Sequence, residues 1–236
     1  MSETESKKAG TLYLVPTPIG NLGDITSRAL EIIKAVELIA CEDTRVTGKL
    51  LSLYGVKKRM LSYHNFNEQA RLPQLLSVLT AGGDVAIISD AGSPGLSDPA
   101  YRIIRAAIAN GIKISPLPGA NSVIPALTAS GLPLDRFFFE GFLPQKSAAR
   151  KNRLAKLREL DHTLIFFESP FRIEKTVADL LEVLGDRPAC LAREISKMYE
   201  EFIRGKLSEI LTQVSQRRLK GEFVIVVAGH LRKELS

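Results

Sequence analysis

The strongest constraint on the fold is a recurring order of three signals. A short apolar run rich in β-formers leads into a turn of Gly, Pro and small polar residues, and then into a segment with apolar residues at helical spacing. TLYLV, VAIIS and KISPL are the clearest runs, and a weaker one over residues 36–40 ends in the polar CEDTR. SRALEIIKAV, LPQLLSVLTA and AYRIIRAAIAN carry the helical spacing between them, with Gly111 placed as a C-cap after the last. This alternation specifies an α/β domain. At FFFEGFLPQK the pattern changes, because an apolar strand exits through Pro144 into a strongly charged helix. A helix over residues 148–160 follows, then strand HTLIFFES, helix RIEKTVADLLEVL, strands ACLARE and EEFIRG, helix LSEILTQVSQRRL and strand EFVIVVAG. Such a mixture of hairpin and crossover calls for some antiparallel pairing. We therefore expect a flexible tail over residues 1–10, an N-terminal α/β domain over residues 11–143 and a C-terminal α/β domain over residues 144–236.

Composition narrows the class. With 236 residues, 45% apolar and 25% charged, each half can bury a core. No apolar run approaches the roughly 18 residues of a membrane span. MSETESKKAG lacks the apolar core of a secretory signal, so a cytoplasmic protein without membrane contact is expected. Cys41 and Cys190 have no second thiol or histidine at metal-ligand spacing, so neither a disulfide framework nor a metal site is expected; both read as small buried hydrophobes at strand ends. A net charge of +6 favours an acidic partner without identifying it.

Three strand ends in the first half finish in loops of small residues, and in an open α/β sheet such ends bind ligands. PTPIGNLGDIT follows TLYLV, with Gly20 and Gly23 allowing close backbone approach and Thr26 or Ser27 available as a helix cap; a plain loop is the competing account. SDAGSPGLSDPA follows VAII, with Asp90 at the strand end, where a carboxylate accepts hydrogen bonds from a ribose or an amino group. Asp98 before Pro99 reads as an N-cap. PLPGANS follows KIS, where Gly119 turns the chain and residues 120–122 open a helix. No GxGxxG or Walker loop occurs.

VPTPIGNLGDIT, ACEDTR, HNFNE, SDAGSPGLSDPA, PGANS and ESPFRI, in this order and spacing, resemble the ribosomal RNA small-subunit methyltransferase I family within the tetrapyrrole methylase fold. The resemblance covers residues 11–229. It implies two α/β domains with S-adenosylmethionine folded into the cleft between them, usually in a homodimer. It also implies 2′-O-methylation of a cytidine ribose in the decoding region of small-subunit (16S) ribosomal RNA, whether free or in the assembled subunit. Carried over residue by residue, it implies cofactor contacts from Pro16, Ile19 and Gly20, from Asp90, Gly92 and Ser93, and from Ala120, Ser122 and Val123. Phe167 with Glu168, and Glu222 with Phe223, match positions that enclose the adenine. Members often continue into a further helical segment, whereas seven residues follow Gly229 here, which lowers the RNA affinity expected. Two other readings stay open: a methyltransferase of this fold acting on a tetrapyrrole-like small molecule, and a non-catalytic RNA-binding assembly factor.

Several polar residues are candidates for the acceptor side. Asp43 and Arg45 in ACEDTR leave a strand at the ligand edge, where Asp43 either serves the ribose hydroxyl or caps the next helix, and Arg45 grips phosphate. His64 and Asn67 in YHNFNE are RNA-contact candidates. Arg172 and Arg193 stand at strand ends of the second half, as RNA contacts or as structural ion pairs. Over residues 146–158, Leu154 and Leu157 point inward while Lys146, Arg150, Lys151, Arg153 and Lys156 form an exposed basic face with no intervening acid, which suits RNA phosphates.

Overall fold

A computed structural model describes residues 8–97, 99–217 and 219–230. Most of the expected N-terminal tail and the Asp98 cap lie outside the described residues. The chain forms two compact units, Met1–Asn121 and Ser122–Ser236.

The first unit is a parallel sheet of β1 (Thr11–Val15), β2 (Leu38–Cys41), β3 (Met60–Ser62), β4 (Val85–Ile88) and β5 (Lys113–Pro116), in the order β3-β2-β4-β1-β5. Period-two alternation divides its apolar residues between the faces. Leu12, Leu38, Ala40, Val85 and Ile87 pack on Leu75 and Leu79 of α3 (Glu68–Thr80) and on Ile103 and Ala107 of α4 (Tyr101–Ala109). Val15, Ile39, Cys41, Ala86 and Ile88 pack on Ala29 and Ile33 of α1 (Ser27–Ala35) and on Leu51 of α2 (Thr44–Leu53). Burial on both faces is why β2 and β4 are apolar throughout. The connection from β1 runs toward β2, and that from β4 runs the opposite way to β5. Because crossovers of this kind are right-handed, α1 and α4 fall on opposite faces, and a crevice opens where the adjacent β1 and β4 end.

The second unit comprises α5 (Val123–Thr128), β6 (Phe137–Phe142), α6 (Ser147–Leu157), β7 (Thr163–Glu168), α7 (Ile173–Leu184), β8 (Pro188–Arg193), β9 (Glu201–Lys206), α8 (Leu207–Gln216) and β10 (Phe223–Val227). Its sheet runs β6-β7-β10-β8-β9; β6 and β7 are parallel and the other pairs antiparallel, as the mixed pattern requires. Leu154, Leu157, Val177, Leu180, Ile210 and Val214 of the helices pack on Leu164, Phe166, Leu191 and Ile225. α5 lies against β10, and Arg204 of β9 donates to the carbonyl of Ala129 at 2.6 and 3.0 Å. The changeover at residues 121/122 precedes the expected 143/144. Pairing sets it: β6 aligns with β7 from Phe137↔Thr163 to Phe142↔Phe167 and so joins the second sheet. The compositional break at FFFEGFLPQK marks the start of a charged helix, not a change of sheet.

The expected exposed basic face of α6 is corrected at Arg150, and two of its other cations are engaged in ion pairs. Arg150, Leu154 and Leu157 recur at i, i+4 and i+7, so Arg150 shares the inward face and is only 3% exposed. Its guanidinium meets Asp179 of α7 at 2.6 and 2.7 Å and also donates to the carbonyls of Pro144 and Gln145. Lys151 pairs with Glu182 at 2.6 Å, and Arg153 binds both oxygens of Glu140 on β6 at 2.5 and 2.7 Å. Acids absent from the helix arrive from other elements. Lys146 and Lys156 stay exposed. Removing Arg150 would strand the Asp179 carboxylate in the interior, so Arg150→Ala should cost about 3–5 kcal/mol in urea unfolding, whereas Lys156→Ala should stay within about 0.5 kcal/mol.

Candidate active site

Loops from three strands converge at the crevice of the first unit. Beyond β1, Thr17 exchanges backbone hydrogen bonds with Gly92 beyond β4 at 2.9 and 3.0 Å, forming an isolated antiparallel bridge. Two buried hydroxyls lock it: Thr17 Oγ1 donates to the Ser89 carbonyl at 3.1 Å, and Ser89 Oγ to the Gly92 carbonyl at 2.9 Å. Gly92 has φ +81°, and a Cβ there would stand 3.3 Å from Ile19 Cγ2 and 3.7 Å from the Ala120 carbonyl oxygen. Only glycine fits that conformation without strain. Ser93 Oγ donates to the Ala120 carbonyl at 3.1 Å, and a Cβ on Gly119 would lie 2.8 Å from Pro16 Cβ. Pro16, Ile19, Gly92, Ser93 and Ala120 therefore form one cradle, with Gly20 exposed at its edge.

Two carboxylates at the rim are driven in opposite directions. Asp90 is exposed at the rim, where partial desolvation of its carboxyl pushes its pKa up; the amide of Asp43 donates to its Oδ1 at 3.4 Å and partly offsets the rise. Asp43 caps α2 by accepting from the Arg45 amide at 2.8 Å, and its oxygens meet Arg45 Nε at 3.1 Å and Nη2 at 2.7 Å. The Arg45 guanidinium holds the Asp43 carboxyl well below the usual carboxylate range. So acidic a group is a weak proton acceptor. Its geometry serves to cap α2 and to aim Arg45, whose side chain is 85% exposed.

The turn after β3 is tied to the same edge. The Tyr63 amide donates to the Cys41 carbonyl at 2.8 Å and Ser62 Oγ to the Glu42 carbonyl at 3.2 Å. Asn67, expected to contact RNA, holds the turn: its Oδ1 accepts from the His64 amide at 2.8 Å, and its Nδ2 donates to the Ser62 carbonyl at 3.1 Å and lies 3.0 Å from His64 Nε2. His64 is half-buried, and its Nδ1 has no partner among the described residues.

In the second unit, β7 and β8 end where β10 begins, with Phe223 opposite both Glu168 and Arg193. The side chains expected to touch ligand or RNA are largely engaged within the protein. Glu168 is buried and accepts from the Ser169 amide (2.7 Å), Arg172 Nε (2.8 Å) and Nη2 (2.7 Å), and Thr176 Oγ1 (2.7 Å). Phe223 belongs to the core, and Arg193 bonds the Lys220 carbonyl at 2.7 Å and Glu201 at 3.3 Å. Glu222 is exposed and pairs with Lys197 at 3.0 Å. Phe167 is half-buried, edge-on to Phe139 and Phe142. Ser122 precedes the six-residue α5, and Val123 is buried. Within the protein, the Glu168, Phe223, Arg172, Arg193 and Val123 side chains thus have structural partners or core positions of their own.

The tetrapyrrole (corrin/porphyrin) methylase family model matches residues 11–211. A solved cobalt precorrin-4 methyltransferase, a cobalamin biosynthetic enzyme, shares the fold with a TM-score of 0.67 at 16% identity, over 92% of this chain and 94% of that one. The ribosomal RNA small subunit methyltransferase I of Micromonospora olivasterospora is 49% identical over 228 residues, 96% of this chain and 73% of the relative. Its namesake in Vibrio cholerae is 46% identical over 232 residues, 97% of this chain and 81% of the relative. The chain belongs to the ribosomal RNA small subunit methyltransferase I family.

Two features of this chain escaped the sequence reading. Thr17 and Ser89 lock the cradle, and their signal was a hydroxyl residue just past an apolar run on each of two strands. Phe66 stands 99% exposed in YHNFNE, an aromatic ring in a polar turn. The two rim carboxylates also make a measurable contrast. In carboxyl NMR titrations Asp43 should titrate below, and Asp90 above, the ordinary aspartate value of about 3.9. Arg45→Ala should return Asp43 toward that value. The stability that Asp43 contributes is present above its unfolded-state pKa and lost as pH falls through its folded value. For Asp90 the sign reverses, so Asp90→Asn should raise the urea midpoint at neutral pH and Asp43→Asn should lower it.

Proposed function

We propose that this chain uses S-adenosylmethionine to methylate the ribose 2′-hydroxyl of a cytidine in the decoding region of small-subunit ribosomal RNA, as a cytoplasmic homodimer. The cradle at the β1–β4 crevice carries the reading, in a chain whose relatives at 46–49% identity are named for small-subunit ribosomal RNA methylation. Its donor set fits the cofactor. Asp90 offers an acceptor to ribose hydroxyls or an amino group, Gly92 and Ala120 present bare backbone, and Pro16 and Ile19 form an apolar wall. When bound, S-adenosylmethionine supplies a methyl group on a positively charged sulfur.

The chain's own contribution is positioning, which supplies roughly 7–11 kcal/mol in well-oriented systems. The bridge between Thr17 and Gly92 and the bond from Ser93 to Ala120 set the cradle's shape before anything binds. On the acceptor side, Arg45 presents a guanidinium fork suited to phosphate, aimed by Asp43. Lys146 and Lys156 remain free of the ion pairs that engage Arg150, Lys151 and Arg153, and serve the RNA backbone.

Mass spectrometry of small-subunit ribosomal RNA from cells lacking the protein should show one cytidine without its 2′-O-methyl group, restored by the wild-type chain and not by Asp90→Ala. Calorimetry should show Asp90→Ala binding S-adenosylmethionine at least about tenfold more weakly, a loss of about 1.4 kcal/mol; unchanged affinity removes Asp90 from the site. Asn caps a helix nearly as well as Asp, so Asp43→Asn isolates the carboxylate's charge. We expect weaker RNA binding through a misaimed Arg45 and a nearly unchanged single-turnover rate at saturating RNA. A rate loss of about 100-fold with both affinities intact would make Asp43 the base.

A further inference from the structure

β6 and β7 end side by side, and the chain leaves them through residues 143–146 and 169–172. Between these exits lies an open depression of about 620 Å³, walled by Phe142, Pro144, Gln145, Ser169, Phe171 and Arg172. Its rings are held in water: Phe171 is 92% and Phe142 56% exposed. Leaving such apolar area wet forgoes about 25 cal/mol per Å² of stabilisation, and the turn between β7 and α7 imposes no need for an aromatic at 171.

The two exits are braced against each other. Arg172 donates to Glu168 and, at 3.3 Å, to the Leu143 carbonyl, so one buried carboxylate ties both exits together. The Phe142 ring leans edge-on against Phe167 at 5.5 Å. Among the described residues no carboxylate lines the depression, whereas Arg172 is part of it and exposed Lys146 follows Gln145 along the same exit. Flat apolar faces beside cations, preformed and free of acids, complement a planar ring attached to a phosphate.

We propose that this depression receives one unstacked base of the RNA substrate, which stacks on Phe171 and Phe142 while the adjoining phosphate sits on Lys146. The assignment rests on the RNA-acceptor reading above and adds to it a base-binding subsite.

The test uses the full chain, a fluorescent single-stranded RNA of the decoding-region sequence, and isolated small subunits as methyl acceptors. Phe171→Leu, which keeps an apolar side chain in an exposed turn, should weaken RNA binding about 5- to 150-fold, the range of one lost base stack; Phe171→Trp should bind as tightly as wild type. The salt dependence should separate the contacts: Lys146→Ala should lower the slope of log K against log salt by about 0.7, whereas Phe171→Leu should leave it unchanged. S-adenosylmethionine affinity should be the same in all of them. Wild-type RNA affinity in Phe171→Leu overturns the proposal, as does a loss of S-adenosylmethionine affinity with RNA binding intact, which would give the depression to the cofactor's adenine. If wild-type protein binds S-adenosylmethionine but neither binds RNA nor methylates subunits, the RNA-acceptor reading falls and the subsite with it. If wild type methylates subunits and Phe171→Leu matches it in rate and affinity, only the subsite falls.

Discussion

Parallel pairing of β1 with β4, two neighbours whose chains then leave in opposite directions, is the constraint on which the first unit's site depends. Right-handed crossovers force the departing helices onto opposite faces, so neither α1 nor α4 covers the ends of the two strands. The loops there must satisfy their own backbone groups. They do so through the Thr17–Gly92 bridge and the buried hydroxyls of Thr17 and Ser89. Once that bridge exists, the loop after β5 has little freedom: Ser93 holds the Ala120 carbonyl, and Gly119 passes so near Pro16 that a side chain would collide. The cradle is rigid because each loop closes the next.

Buried carboxylates organise the second unit in a comparable way. Glu168 at the end of β7 collects Arg172, Thr176 and the Ser169 amide, and Asp179 on α7 collects Arg150, Ser147 and the edge of Lys151. Breaking either hub leaves a charge in the interior, so such groups fix the geometry of the exits even where their net contribution to stability is small. Much of the chain's positive charge is engaged in this way. Each such pair removes one positive and one negative charge, so the formal excess of +6 rests on the side chains outside these pairs and not on Arg150, Arg153, Arg172 or Arg193.

Asp43 and Asp90 show how one short contact separates two like groups. They are joined through the Asp43 amide, yet Arg45 acidifies the first while partial desolvation raises the second. The split follows from which carboxyl has a cation within reach. In the ACEDTR segment the carboxylate of Asp43 both caps α2 and fixes the direction of the Arg45 guanidinium.

The element order, the α/β class and the glycine-rich loops at the strand ends were legible in the residues because they rest on local rules. Period-two and helical spacing declare strands and helices, a glycine such as Gly92 declares a tight approach, and Thr26 and Asp43 declare their caps. Even the buried cysteines, Cys41 and Cys190, followed from their apolar neighbours. What the residues alone left undecided was every outcome that depends on a partner distant in the chain. Arg150 reads as one more exposed cation until Asp179, 29 residues away, faces it, and only the β7–β10 register brings Glu168 and Phe223 opposite each other, the one in a hub and the other in a core. Membership of β6 in the second sheet was likewise set by pairing and not by composition. A short-range signal survives in sequence because its geometry spans one turn or one pleat, whereas burial and ion pairing are properties of surfaces that meet only when the chain has folded.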